Sequence, residues 1–343
     1  MRWRDRRRYG RRRRRGRHRP VTPRSTQVTA AAVGAVAAVG LGALAWGVFV
    51  ERNRFTVRHE VLPILAPEAR PITVLHLSDL HMAPWQARKQ QWIAELARTV
   101  EPDFVITTGD LLGHEQGLEG VRHALDPFRG VPGAFVHGSN DYHGPQAKNP
   151  LAYLGGPSGA GSHSADLDTP ALEAYLADEL GWFDLNNRVR AIELRGSRIE
   201  LIGVNDAHRG WDQLGQLPSQ IETMHETLGW ADDRQGPDPI VIGLTHAPYR
   251  RVLDAFTTNG ADVIFAGHTH GGQVRIPGRS AIVTNCDIPR DQAQGLSTWS
   301  HARRRSALNV SAGLGTSIWA PVRFGCPPEA VVVTLTAGDI GYA

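Results

Sequence analysis

Short apolar runs that end in polar residues recur along most of the chain. Each run is rich in Val, Ile, Leu or Phe over roughly four to six residues, and Asp or His closes it. A continuous apolar run of this length is typical of a β-strand that is buried on both faces. Six such runs lie within residues 72–79, 103–110, 133–141, 199–206, 239–246 and 262–270.

Two stretches between these runs have the apolar period of an amphipathic helix. Residues 90–100 place their large apolar side chains on one face, and residues 169–180 begin with a Thr-Pro pair that is typical of a helix start. Strands that alternate with helices predict an α/β fold built in layers. A last apolar run at residues 329–337 predicts one more strand, and the Gly, Pro and Ser content of residues 144–168 predicts a long loop.

Residues 28–50 form an uncharged stretch near the N-terminus. Its length matches the roughly 20 residues that a helix needs to cross a bilayer and exceeds the roughly 7–15 residues of a signal-peptide core. We therefore expect an uncleaved signal-anchor, with a cleaved signal that ends near residues 43–45 as the alternative. The expected organisation is a basic tail over residues 1–27, a transmembrane helix over 28–50, a juxtamembrane linker over 51–70 and one folded domain over 71–338.

Positive charge is concentrated in the N-terminal tail. The first 24 residues hold thirteen Arg and one Asp, a surplus of 12 positive charges, whereas the whole chain carries only +4. The rest of the chain therefore carries −8. The Arg run favours an N-terminus in the cytoplasm, a single pass through the cell membrane and a domain outside the cytoplasm. No aromatic interleaving suggests base stacking, so nucleic acid is not an expected partner, and a nuclease that uses the basic tail is kept as an alternative.

The chain contains two cysteines, Cys286 and Cys326. Two are too few for a disulfide framework or a thiolate zinc site. A single disulfide in an oxidising compartment and two buried free thiols are both open.

The polar residues that follow the apolar runs are of the types that bind metals. In an open α/β sheet, ligands bind beyond the carboxyl ends of the strands, so side chains from several runs would converge there. Glycines beside these residues, including Gly109, Gly138 and Gly267, let the backbone approach a crowded site. Mixed carboxylate and imidazole ligands suit Mn, Fe or Zn. The candidates are Asp79, His81, Asp110, Asn140, Asp141, His246, His268 and His270.

The motifs Asp-Leu-His, Gly-Asp, Gly-Ser-Asn-Asp, Thr-His and Gly-His-Thr-His stand in this order in the chain. The series resembles the calcineurin-like metallophosphoesterase family over about residues 72–335, and residues 313–335 resemble its membrane-anchored bacterial branch, the YkuE-like phosphoesterases. The resemblance implies a layered β-sandwich core flanked by helices. It also implies a site for two divalent metal ions, which hydrolyses phosphomonoesters or phosphodiesters through a metal-bridging hydroxide.

The resemblance also implies which ligand binds which metal. Asp79, His81 and His270 would bind the first ion, and Asp110 would bridge both ions. His246 and His268 would bind the second. The chain departs from the family in its third motif, where Gly-Ser-Asn-Asp stands in place of Gly-Asn-His-Asp.

The departure leaves the roles of residues 138–141 open. Aligned without a gap, Asp141 keeps the family's acid, whereas a shift by one keeps Asn140 as a ligand of the second ion and puts Asp141 in the place of the histidine. We favour Asn140 as the ligand, and we expect both residues to be catalytic. If the missing histidine protonates the leaving group, its loss costs about 10²–10⁴-fold in rate, unless His137 or His143 substitutes for it.

These inferences predict a membrane-anchored phosphoesterase. The anchor favours a lipid-linked or envelope phosphate ester as the substrate. The missing histidine favours an alternative, a pseudo-enzyme that binds metal or phosphate with little turnover. Arg323 could meet a phosphate or pair with a carboxylate.

Overall fold

The computed structural model describes residues 24–145, 166–229 and 238–338, with side chains from residue 34 onward. Most of the expected basic tail and most of the expected long loop over residues 144–168 lie outside the described residues. The chain divides into two compact units, residues 1–43 and residues 44–343. The domain boundaries given above remain predictions.

The N-terminal helix α1 covers Arg24–Ala45 and continues as a π turn, Trp46–Val50, and a 3₁₀ turn, Glu51–Asn53. Within it, the stretch Gly34–Asn53 has a mean hydropathy of 1.7 and is mostly exposed. This stretch is long and apolar enough to cross a membrane. The helix overlaps the span that the sequence predicts.

The second unit contains two six-stranded sheets. The first has the order β1-β12-β2-β3-β4-β5, in which β2 to β5 are parallel and β12 runs antiparallel to β2. Its strands are β1 Thr56–Leu65, β2 Ile72–Leu77, β3 Phe104–Thr107, β4 Gly133–Phe135, β5 Phe183–Asp184 and β12 Glu329–Ala337.

The second sheet has the order β10-β11-β9-β8-β7-β6. Its four central strands are parallel, and antiparallel hairpins add β6 and β10 at the edges. Its strands are β6 Arg188–Leu194, β7 Ser197–Gly203, β8 Ile240–Thr245, β9 Val263–Ala266, β10 Gly295–His301 and β11 Arg304–Val310. The hairpin β10–β11 is not among the strands that the sequence predicts.

The two sheets pack face to face and helices cover both outer faces. Ile106 and Val331 of the first sheet share one buried cluster with Ile242 and Phe265 of the second. Helices α2, α3 and α5 pack on the first sheet, and α6 and α7 pack on the second. The predicted layered β-sandwich flanked by helices is therefore confirmed. The helices after α1 are α2 Ala87–Val100, α3 Gly117–Leu125, α4 Ser139–Tyr142, α5 Thr169–Ala174, α6 Leu217–Leu228 and α7 Arg250–Thr258.

The segment expected to be a linker over residues 51–70 contains strand β1. This strand pairs in parallel with β12, from Thr56 opposite Glu329 to Leu65 opposite Ala337. Its side chains are mostly half-buried or exposed, because β1 lies at the edge of its sheet. Residues 56–65 are therefore an edge strand of the first sheet, whereas the sequence places them in the juxtamembrane linker.

Candidate metal centre

The predicted ligands lie on short loops that directly follow the strands. β2 leads to Asp79 and His81, β3 to Asp110, β8 to His246, and β9 to the pair His268 and His270. Because these strands are parallel within each sheet, their carboxyl ends meet at one edge of the sandwich. Each sheet therefore contributes three of the six Asp and His side chains.

Five of these six side chains are on residues with a positive φ. The angles are 49° at Asp79, 40° at His81, 53° at Asp110, 67° at His268 and 48° at His270. Residues other than glycine rarely adopt this conformation. Such strain is concentrated at functional sites, where the surrounding structure holds it in place.

Three of the predicted ligands form a first group, Asp79, His81 and His270, whose ligand atoms all lie within 4.8 Å of one another. Nε2 of His81 is 3.2 Å from Nε2 of His270, and Nε2 of His270 is 3.6 Å from Oδ1 of Asp79. One cation fits among these three atoms, because each offers a lone pair to the same small space.

A second group, Asp79, Asp110 and His246, shares Asp79 with the first and has the same spread of ligand atoms. Oδ2 of Asp110 is 3.5 Å from Nε2 of His246 and also 3.5 Å from Nε2 of His81. This oxygen therefore lies between the two groups. The donor set suits divalent cations.

His268 lies beside the second group. Its Nδ1 is 3.3 Å from Nε2 of His246, and its backbone N–H donates to the carboxylate of Asp79. On its other side, Nε2 is 3.1 Å from the carbonyl oxygen of Asn285. A proton on Nε2 would leave Nδ1 free to bind a metal.

The side chain of Asn140 contacts the side chain of Asp110, whereas that of Asp141 accepts hydrogen bonds from backbone N–H groups of the neighbouring loops. The amide of Asn140 is 2.6 Å from Oδ2 of Asp110, and its backbone N–H donates to Oδ1 of Asp110. The fully buried carboxylate of Asp141 accepts backbone N–H groups from the Asp110 loop and from the start of α4. Those donors are Asp110, Leu111, Leu112 and Gly138.

The two histidines that could substitute for the missing one both face carboxylates. Buried His137 is 3.6 Å from Asp141 and 3.3 Å from Glu173. Burial alone would lower the pKa of His137, but the two carboxylates outweigh it and raise the pKa to about 9. Nδ1 of His143 is 3.0 Å from Asp166.

The glycines predicted to relieve crowding do so. A Cβ on Gly138 would lie 2.2 Å from Oδ1 of Asp110, and a Cβ on Gly267 would lie 1.9 Å from Oγ of Ser78. No side chain fits at either position without moving the site, so close approach of the backbone explains both glycines.

Burial lowers the pKa values of three of the ligand histidines, to about 4 for His81 and well below the usual value for His268 and His270. They are therefore neutral at physiological pH, which is the form that binds metals. Burial also acts to lower the pKa of His246, but Asp110, Asp206 and Asp79 outweigh it and raise the pKa to about 9. A cation among the same carboxylates would replace that proton.

A buried chain of hydrogen bonds ends on Asp79. Ser78 donates to Oδ2 of Asp79 over 2.6 Å, Thr108 donates to Ser78 over 2.7 Å, and Nε2 of His76 lies 2.9 Å from Thr108. Nδ1 of His76 is 3.0 Å from the amide of Asn309 on β11. Burial, with a contribution from Arg58, lowers the pKa of His76 to about 3, so His76 is a neutral link between the sheets.

Arg323 contacts backbone carbonyls near the site and, among the described residues, forms no ion pair with a carboxylate. A contact with phosphate stays a prediction. Nη2 of this fully buried residue donates to Ala312, Gly313 and Gly315 over 2.6–3.0 Å. It is also 3.4 Å from Nδ1 of His270. Arg323 thus holds the loop beside His270.

Sequence reasoning missed two further neighbours of the site. The ring of His208 is 4.5 Å from that of His268, and its Nδ1 is 3.0 Å from the hydroxyl of Tyr249. Asn285 contacts His268 from the other side. Neither His208 nor Asn285 belongs to a motif, so no local signal identifies them. Both cysteines are buried and free, which decides against the disulfide.

Comparison with known proteins matches residues 72–272 to the calcineurin-like phosphoesterase family. The uncharacterized protein YpbG of Bacillus subtilis (strain 168) is 27% identical over 278 residues, which cover 77% of this chain and 81% of that protein. The uncharacterized metallophosphoesterase YkoQ of the same organism is 24% identical, over 77% of this chain and 83% of that protein. A Bos taurus transmembrane protein with metallophosphoesterase domain is 27% identical, over 61% of this chain and 43% of that protein.

The matched residues contain Asp79, His81, Asp110, His246 and His270, which form the two overlapping ligand groups. The narrower YkuE-like assignment stays a prediction. The family match covers more than half of the chain, and the chain belongs to the calcineurin-like phosphoesterase family.

Proposed function

We propose that the protein is a dinuclear metal-dependent phosphoesterase that hydrolyses phosphomonoesters or phosphodiesters. The observation that carries the proposal is the position of Oδ2 of Asp110, 3.5 Å from a histidine of each ligand group. Two divalent ions, Mn, Fe or Zn, would supply positive charge for the phosphoryl group and activate a water molecule. The donor set of carboxylates and neutral imidazoles fits such ions.

The chain's own residues divide into two sets in this proposal. Asp79, His81 and His270 would hold the first ion, and Asp110 would be shared. His246, His268 and the side chain of Asn140 would hold the second ion. Asp141 is a positioning residue, since its oxygens are occupied by backbone N–H groups.

The missing motif histidine favours substrates with good leaving groups. His137 is buried between Asp141 and Glu173, so its proton is shared with those carboxylates and is not exposed to a leaving group. His143 is partly exposed and pairs with Asp166. The absence of the motif histidine also favours the rival function, a pseudo-enzyme that binds metal with little turnover.

Anchoring to a membrane is part of the proposal. The apolar helix and the name of the Bos taurus relative as a transmembrane protein support it. The Arg-rich tail favours a cytoplasmic N-terminus and a site outside the cytoplasm. A lipid-linked or envelope phosphate ester is then the proposed substrate. A nuclease that uses the tail would lose activity on DNA when residues 2–24 are deleted.

A rate measurement with a chelator tests the hydrolase. We expect the full-length chain in lipid nanodiscs with Mn²⁺ to hydrolyse bis-p-nitrophenyl phosphate or p-nitrophenyl phosphate, and EDTA to abolish the rate. Asp110→Asn should lower the rate at least about 10²-fold, because it removes a charge from the shared ligand. Exposed Asp291→Asn is the matched control. Stoichiometric Mn²⁺ binding without turnover on either ester would favour the pseudo-enzyme.

A further inference from the structure

The last part of the apolar helix packs against the loop that holds Arg323. The backbone N–H of Arg323 donates to the carbonyl of Gly47 over 3.2 Å, and that of Cys326 donates to Glu51 over 2.7 Å. A Cβ on Gly47 would lie 2.6 Å from the carbonyl oxygen of Arg323. The end of the helix is therefore fixed to residues 322–326.

The same loop is tied to the segment that follows the metal ligand His270. The backbone N–H of Phe324 donates to Gln273 over 3.0 Å, and that of Arg275 donates to Phe324 over 2.7 Å. The side chain of Gln273 donates to Ala320 over 2.7 Å. Hydrogen bonds thus join residues 273–276, residues 319–326 and the helix end into one connected unit.

Each of these three segments exposes large apolar side chains. Phe49 is 73% exposed, and Trp319 and Ile276 are each 55% exposed. We call the set the apolar rim. Its members are Trp46, Phe49, Val50, Val274, Ile276 and Trp319.

The chemistry of the apolar rim fits a phospholipid bilayer. Tryptophan is enriched at lipid head groups. The indole N–H groups of Trp46 and Trp319 donate within the protein, to Glu51 and Pro145, and the two side chains are 43% and 55% exposed. The tight turn from Ile276 to exposed Arg279 places a cation beside an apolar side chain, which suits anionic head groups. Three members of the rim, Trp46, Phe49 and Val50, belong to the stretch Gly34–Asn53, which is long and apolar enough to cross a membrane.

The apolar rim lies next to the metal centre. Gln273 is three residues after His270, and Arg323, on the loop fixed to the helix end, is 3.4 Å from Nδ1 of His270. A surface that dips into the head groups at this place would bring their phosphates close to the ligand groups.

We propose that the apolar rim inserts into the head-group layer of an anionic bilayer, so that the metal centre acts on phosphate esters carried by lipids in that bilayer. The second half of this statement rests on the proposed hydrolase function, whereas the first half does not.

Spin labels test insertion without any need for activity. Ile276→Cys and Trp319→Cys would each be labelled in the full-length chain in nanodiscs of phosphatidylglycerol and phosphatidylcholine, and the native thiols are buried. Leu228→Cys, exposed at the end of α6, is the control. We expect oxygen to reach the labels at 276 and 319 more readily than a water-soluble nickel complex, and the reverse at 228. Water-like accessibility at all three positions would overturn the insertion.

Rates on two substrates test the second half. Ile276→Glu should lower hydrolysis of phosphatidic acid in nanodiscs about tenfold, because it removes an apolar contact with lipid, and should leave hydrolysis of bis-p-nitrophenyl phosphate within about twofold. Leu228→Glu should change neither rate. A wild type that acts on the soluble ester but not on phosphatidic acid refutes the lipid substrate. A wild type that acts on neither refutes the hydrolase, while the spin labels still decide insertion.

Discussion

At the scale of single residues, Asp141 orders the site through the backbone. Its carboxylate accepts N–H groups from three consecutive residues, Asp110 to Leu112, and from Gly138. These bonds hold the loop on which Asp110 adopts a φ of 53°. Hydrogen bonds to an ionised carboxylate are stronger than hydrogen bonds between neutral groups. The Asp141 carboxylate therefore stabilises this loop more than a neutral acceptor would.

Asp141→Asn is therefore expected to destabilise the fold. An amide has one acceptor oxygen, and its NH₂ would face backbone N–H groups, so at least one donor is left unsatisfied. The free energy of unfolding should fall by about 3 kcal/mol, and Mn²⁺ affinity should fall with it. Thermal unfolding and calorimetric titration measure the two effects, with exposed Asp291→Asn as the control. Unchanged stability with lost turnover would instead make Asp141 a catalytic residue.

His137 should make stability depend on pH. Its pKa is raised to about 9 in the folded protein, against about 6.5 when unfolded. The stabilisation is fully present below about pH 6.5 and is lost as the pH rises through 9. The free energy of unfolding of the wild type should fall by at most roughly 3 kcal/mol between these values.

The free energy of unfolding of His137→Gln, measured against pH, tests whether His137 causes this loss of stability. The variant should start less stable and lose less between pH 6.5 and 9, whereas exposed His123→Gln should follow the wild type. Equal slopes in all three proteins would show that other groups control the alkaline loss.

At the scale of elements, strand β1 joins the N-terminal part of the chain to the site. Arg58 on β1 donates to Asn309 on β11 over 3.1 Å, and Asn309 begins the hydrogen-bond chain that ends on Asp79. Arg58 also pairs with Glu329 on β12. An element that sequence reasoning placed in a linker thus supports a metal ligand.

Arg58→Ala should lower the free energy of unfolding more than the loss of a surface arginine does. It leaves buried Glu329 without its cationic partner, and we expect the free energy of unfolding to fall by about 3 kcal/mol. Arg98→Ala, which breaks an exposed pair with Glu95, should lower the free energy of unfolding far less, because solvent screens that pair. Chemical denaturation of both variants measures the two losses of stability. Equal, small effects would show that the contacts of the Arg58 side chain do not stabilise the fold.

At the scale of the whole molecule, the site lies where the two sheets meet. Nδ1 of His246, after β8, is 2.7 Å from the carbonyl of Thr108, after β3. Leu314 and Gly315, beyond β11, donate to Ser78 and Asp79. Ligands from both sheets close around the same carboxylates, so a bound cation would join the two halves of the sandwich.

Metal binding should consequently stabilise the fold. Mn²⁺ at 100 times its Kd should add about 2.7 kcal/mol per site to the free energy of unfolding, and EDTA should return the Tm to its lower value. Asp110→Asn should lose most of this response, and Asp291→Asn should keep it. Scanning calorimetry in nanodiscs measures the shift. A Tm that ignores both Mn²⁺ and EDTA would contradict a bound ion.

The sequence by itself determined the identity of the ligand candidates, because a polar residue directly after a buried strand is a local pattern. It also determined the layered fold, since apolar runs and helical periods are local. Only the tertiary structure decided how distant residues meet: His81 and His270 are 189 positions apart, and Arg58 and Glu329 are 271 apart. Such contacts determine that Oδ2 of Asp110 lies between two histidines and that Asp141 binds backbone N–H groups. They also determine that the polar segment at residues 56–65 pairs as an edge strand. No local pattern encodes them, because their free energy arises only when segments far apart in the sequence come together in the folded chain.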